Sequence, residues 1–342
     1  MTKRKTGIIL AIAIVLLGAF LYIKNSNAVP KLVIYSARSE ALMKPIFDAY
    51  TQKTGVKISY LIADSGVLIN RLKSEGEATP ADILIATDAM SLTLAKTQGL
   101  LYPFNSEPLF SAIPASLRDE KGHWFGYSSF ARTAVYHSKR VSEAKLSTYT
   151  NFVFPQWKGR LLLQSSRHMY NKALFAMWIQ DRGDAEASAT LSGWVFNLAA
   201  PPFDTDRQVL EALEAGKGDV GIVNSSEFGH YKKENPRTKL RLSWLDQPVS
   251  GGFGVQVNIS GAGIVAKSKR IKAAEAFLEW LATPEAQDLW ANLNYEFPVV
   301  AGVTSNAIVK DWGLWYRNPI AVEKYQGHQP VVMKILDDAG YE

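Results

Sequence analysis

Short apolar runs alternate with amphipathic stretches along most of this chain. Residues 32–35, 56–62 and 81–86 are apolar-rich runs of strand length bounded by polar turns. Between them, residues 39–54 place Leu42, Ile46, Phe47 and Tyr50 on one helical face, with Gly55 as the stop signal. Residues 66–74 predict the next helix. A second series repeats the pattern: a strand over 160–164, a helix over 170–181 and a strand over 218–223. Residues 125–137 and 255–266 are long β-rich runs placed where the chain passes out of the first series and back into it. A strongly periodic stretch over 273–293 breaks at Thr283-Pro284, where proline suits the first turn of a new helix. This alternation predicts an α/β protein of two lobes, with a ligand cleft between them and at least two hinge strands.

In open α/β sheets, ligands bind beyond the carboxyl ends of the strands, so polar residues there carry weight. Ser36, Ser39 and Glu40 follow the first strand, Thr87-Asp88 follows the third, and Asn224-Ser225-Ser226-Glu227 follows the strand ending near residue 223.

The first residues read as an export leader: Lys3-Arg4-Lys5, an apolar run over residues 7–23, then a polar flank ending in Ser26-Asn27-Ala28. Cleavage after Ala28 is expected, with an inner-membrane anchor over residues 7–23 as the other outcome. Of the 38 basic residues, set against 32 acidic ones, four lie in this leader, so the remainder carries only two more bases than acids. That balance predicts no nucleic-acid partner. The chain has no cysteine, which excludes disulfides, thiolate metal sites and a lipidated cysteine. At 342 residues it exceeds the comfortable size of one domain. The expected lobes are residues 31–130 with 258–305, and 131–257 with 306–342.

No catalytic signature is present, and an enzyme is not expected. Gly261-Ala-Gly263 loosely matches a dinucleotide pattern but lies inside a strand-like run, where close backbone packing explains it better. His123, His137, His168, His230 and His328 are scattered through the sequence, with no metal-ligand spacing among them.

Several short motifs occur in order across nearly the whole chain after the leader. They are Tyr35-Ser36-Ala37-Arg38, Ser74-Glu75-Gly76 with Pro80-Ala81-Asp82, Trp124-Phe125-Gly126 with Ala131-Arg132, and Trp157-Lys158-Gly159-Arg160. Ser165-Ser166 with Tyr170-Asn171, Val257-Asn258-Ile259-Ser260-Gly261 and Asn294-Tyr295-Glu296-Phe297-Pro298 complete the set. Together they resemble the periplasmic ferric-ion-binding proteins that feed ABC importers. The resemblance implies a type II periplasmic binding protein fold, a ferric ion as cargo, a synergistic anion beside it, an ABC permease in the inner membrane as partner, and a monomer in the periplasm.

Ferric iron is a hard cation that prefers phenolate and carboxylate oxygen. The resemblance makes Tyr170 the principal phenolate. Where many members have His-Tyr after the first strand, this chain has Ser39-Glu40, and where they have Tyr-Tyr it has Ser226-Glu227. Glu40 and Glu227 then stand as carboxylate replacements, with Asp88 where some members carry a glutamate; Tyr231, four residues beyond Glu227, is expected to cover its helix rather than supply a further phenolate. Arg132 on the crossing strand, with Arg38, Ser36, Ser39 and Ser226, is the expected anion cradle. The same cradle supports an alternative: a small organic or phosphorylated anion bound in place of iron. An anchored enzyme or sensor domain is the third reading.

Overall fold

The computed structural model describes residues 31–342, so the expected leader lies outside the described residues. Ten strands form one continuous sheet. They are β1 (Lys31–Ser36), β2 (Lys57–Ile62), β3 (Ile83–Ala86), β4 (Leu101–Tyr102), β5 (Phe125–His137), β6 (Leu161–Leu163), β7 (Val220–Asn224), β8 (Leu240–Ser243), β9 (Gln256–Val265) and β10 (Phe297–Pro298). The main path runs β2-β1-β3-β9-β5-β7-β6. β1 pairs in parallel with β2 and β3, and β6 in parallel with β7, so each end of the path is a small parallel sheet flanked by helices.

The two ends are joined by β5 and β9, whose residues are all buried. The first part of β5 pairs antiparallel with β9 through Arg132↔Gln256, and from Arg132 onward it pairs with β7. β9 in turn pairs with β3, Ile83↔Ile264 through Ala86↔Gly261. These two strands are the expected crossings between lobes. Gly261 and Gly263 belong to this packing: a Cβ at Gly261 would sit 2.6 Å from the Phe125 carbonyl, and one at Gly263 would meet the His123 carbonyl. Gly55 ends the helix Glu40–Thr54 in the left-handed region at φ 76°, where glycine lacks the Cβ penalty.

The helix ends that matter for the site follow local sequence. Asp88 caps Ala89–Thr97 by accepting from Ser91 N. Thr205 and Gln208 form a capping box at the start of Asp206–Glu214. Asn224 precedes Ser225–Glu234, and His168 precedes Met169–Arg182; neither side chain caps its helix. The carboxyl ends of β1, β3, β6 and β7 therefore deliver four helix starts to one place.

Candidate functional site

Those helix starts line a cleft of about 1150 Å³. Ala37, Ser39, Thr87 and Asp88 come from the lobe of β1 and β3, while Gln164, Tyr170, Ser226 and Glu227 come from the lobe of β6 and β7. Tyr170 is half-buried at the second residue of its helix. Its ring meets Phe130 edge-on at 5.7 Å and lies 5.9 Å from the Arg132 guanidinium carbon. Loss of water pushes the Tyr170 phenol up; the neighbouring Thr87 side chain opposes this, and the charges of Asp88, Asp206 and Glu296 add to it. A phenol so placed keeps its proton until a cation displaces it.

Glu227, half-buried, faces the same cleft, and burial pushes its carboxyl up as well. Arg207 Nη1 lies 4.0 Å from its Oε1. Asp88 also reaches the cleft wall, but its carboxylate is occupied: Oδ1 accepts from Ser91 N and Oδ2 from Ser91 Oγ, both at 2.7 Å. Burial raises its proton affinity too.

Four expectations fail on geometry, and Tyr231 takes the packing role expected of it. Glu40 is exposed and does not line the cleft; its Oε1 accepts from the Tyr60 hydroxyl at 2.6 Å. Arg132 is fully buried and its fork is taken: Nη1 and Nη2 grip Asp206 at 3.0 and 3.1 Å, Nε donates to Asn171, and further bonds reach Asn224, Gln164 and the Ile222 carbonyl. Arg38 is likewise buried, paired with Glu296 at 3.0 Å and stacked 4.4 Å over the Trp290 ring. Ser36 is buried and bonds only the Arg38 backbone, shaping the turn after β1. Tyr231 packs in the core of the second lobe under Arg207. Of the expected anion cradle, Ser39 and Ser226 alone line the cleft.

The sequence reading missed Asp206, Glu296 and His230, all on the cleft wall. Glu296 accepts from Arg38, Ser128, Ser260 and Asn294. With Asp206 and Glu296 matched by arginines behind the wall, Asp64, Asp88, Glu227 and Glu234 remain against Arg167 and Arg207. The lining therefore carries an excess of negative charge. Among the described residues, no three His, Asp or Glu side chains cluster closely enough to hold a metal without other donors.

Residues 46–315 match the family described as bacterial extracellular solute-binding protein. The chain belongs to that family. Relatives similar to it include Iron uptake protein A1 of Synechocystis sp., 32% identical over 90% of this chain and 87% of the relative. Among solved structures, a Trichodesmium FutA in complex with iron and citrate ligands superposes with a TM-score of 0.86 at 34% identity, covering 91% of this chain and all of that one. The ferric binding protein from Campylobacter jejuni superposes with a TM-score of 0.85 at 33% identity, over 91% of this chain and 100% of its own. This solute-binding protein has the two-lobed type II fold of those neighbours. Among its described residues, no helix is long and apolar enough to cross a membrane.

Proposed function

We propose that this solute-binding protein captures ferric iron in the periplasm, closes its lobes over the ion, and delivers it to an ABC permease. The observation that carries the reading is Tyr170, a protonated phenol in a cleft wall with more carboxylates than guanidinium groups. Such a wall attracts a hard cation and gives it oxygen donors. Tyr170 and Glu227 are the proposed protein ligands, with Asp88 beside them. Because so few protein donors converge, the ion arrives with a companion anion whose oxygens complete its coordination.

The anion-only alternative draws on Arg38 and Arg132 with the serines and the helix N-termini, and both arginines are matched by buried carboxylates. The proposed lobes are residues 31–130 with 258–305, and 131–257 with 306–342. Contacts of the helix Gln329–Asp338 with Met169–Arg182 and Asp184–Phe196 support assigning the last segment to the second lobe. Closure about β5 and β9 is the hinge motion such an arrangement allows.

Native mass spectrometry of the protein purified without added metal tests the reading. Iron, with or without a small carboxylate, is the expected bound species; an organic or phosphorylated anion without metal contradicts it.

A further inference from the structure

Asn294 fixes the position of a proton on a histidine in the cleft. Its Nδ2 donates to Glu296 Oε1 at 2.7 Å, and Glu296 is the ion partner of Arg38. A carboxylate in that role accepts only, so the amide nitrogen faces Glu296 and Oδ1 faces away. That Oδ1 stands 2.8 Å from His230 Nε2. An amide oxygen also accepts only, so Nε2 carries the hydrogen, and the neutral ring holds its lone pair on Nδ1.

The ring is held in place as well as in tautomer. Tyr295 meets it edge-on at 4.8 Å. Gly229, one residue earlier, leaves the space that lets Tyr295 approach the helix. His230 and Glu227 are three residues apart on the helix Ser225–Glu234, so they share a face, and both line the cleft. A histidine that donates one ring N–H to an anchored oxygen and leaves the other nitrogen free has the orientation metal-binding imidazoles use.

We propose that His230 Nδ1 is a direct ligand of the captured cation, beside Glu227 and Tyr170. The inference rests on the ferric reading above and adds a nitrogen donor to it. Imidazole is a competent ligand for iron, and one nitrogen among oxygens relieves the shortage of clustered carboxylates. Asn294 and Glu296 act through the ring as positioning residues. The Asn294–His230 bond joins the two proposed lobes, so closure sets the tautomer that the ion needs.

The test is pulsed electron paramagnetic resonance on the full-length protein loaded with ferric citrate, a chelate that contains no nitrogen. Nitrogen couplings of a coordinated imidazole are expected in the wild type and in His168→Gln, which alters the other cleft histidine. In His230→Gln they should vanish, and iron affinity should fall by about tenfold or more. Asn294→Leu should keep the couplings while weakening loading, because the ring stays but its tautomer is released. Iron-loaded wild type without nitrogen couplings overturns the His230 assignment and leaves ferric capture standing, whether or not any variant folds. Couplings that survive in His230→Gln, or vanish in His168→Gln, overturn it too. Wild type that takes up no iron overturns the ferric reading itself.

Discussion

Arg132 and Asp206 form a two-pronged ion pair beneath the cleft, with Nη1 to Oδ2 at 3.0 Å and Nη2 to Oδ1 at 3.1 Å. Asp206 also accepts from the Asn224 backbone N–H at 2.8 Å, which ties the pair to the end of β7. The arginine that the sequence offers as an anion clasp is therefore a strut of the second lobe. Its role is to hold Asn224 and the two helix starts, Met169 and Asp206, in the cleft wall.

Breaking this pair should destabilise the empty protein. Arg132→Lys keeps a charge but loses the planar fork and most of its five side-chain and backbone partners. A loss of about 1–3 kcal/mol is expected, the scale for buried polar groups left without a partner. Urea denaturation of the cargo-free protein measures it; unchanged stability with a changed dependence on the supplied anion would return Arg132 to the anion role.

Asp246 gives the protein a pH-dependent stability away from the cleft. Burial pushes its carboxyl up to about 6, against a hydrogen bond from Tyr149 N. The folded state then holds this proton more tightly than the unfolded one, whose carboxyl titrates near about 4. Its contribution is full below about pH 4 and is lost as pH rises through about 6. Asp246→Asn keeps an acceptor for Tyr149, and asparagine tolerates the positive φ of 50°. The variant should be more stable at neutral pH by about 3 kcal/mol and no more stable at pH 4. Chemical denaturation at both pH values decides the matter, and equal stability at neutral pH would refute it.

Gly229 and Tyr295 set how closely the helix Ser225–Glu234 approaches the segment after Pro284–Asn292. A Cβ on Gly229 would collide with the Tyr295 Cβ and lie 2.7 Å from its Cγ, so Gly229→Ala cannot coexist with this approach. Solution scattering should show the variant failing to compact on adding ferric citrate, with weaker iron binding. Normal compaction would mean that the two residues do not limit closure.

Most of the fold is legible from hydrophobic patterning. β5 occupies the residues expected from its apolar run, and the helix pair after β9 breaks at Thr283-Pro284 as its turn chemistry dictates. The strand ends that face the cleft follow from the same reasoning. What patterning cannot reveal is which partner a polar side chain finds. Glu40 and Glu227 each follow a polar strand exit, yet Glu40 turns outward to Tyr60 on the neighbouring strand β2 and Glu227 turns inward. Arg132 is matched by Asp206, distant in sequence and brought close only by the sheet. His230 looks isolated until folding brings Asn294 to it.

The two glutamates provide a direct contrast. Glu40→Gln should leave iron affinity within about twofold, as expected for an exposed side chain outside the cleft. Glu227→Gln should weaken it by at least about tenfold, the scale on which loss of even an outer partner of a metal site acts. Competition against citrate measures both, and the reverse order would place the binding site at the start of the first helix.

Tyr170 is the proposed principal ligand of the ion. Its phenol stays protonated in the empty cleft, so coordination must release that proton, and iron affinity should fall as pH falls. The most direct measurement is a ferric citrate titration of wild type and Tyr170→Phe, followed by visible absorption. A phenolate-to-iron band is expected in the wild type and should be absent from the folded variant. A wild type without the band, or a variant that keeps it unchanged, would contradict the Tyr170 assignment.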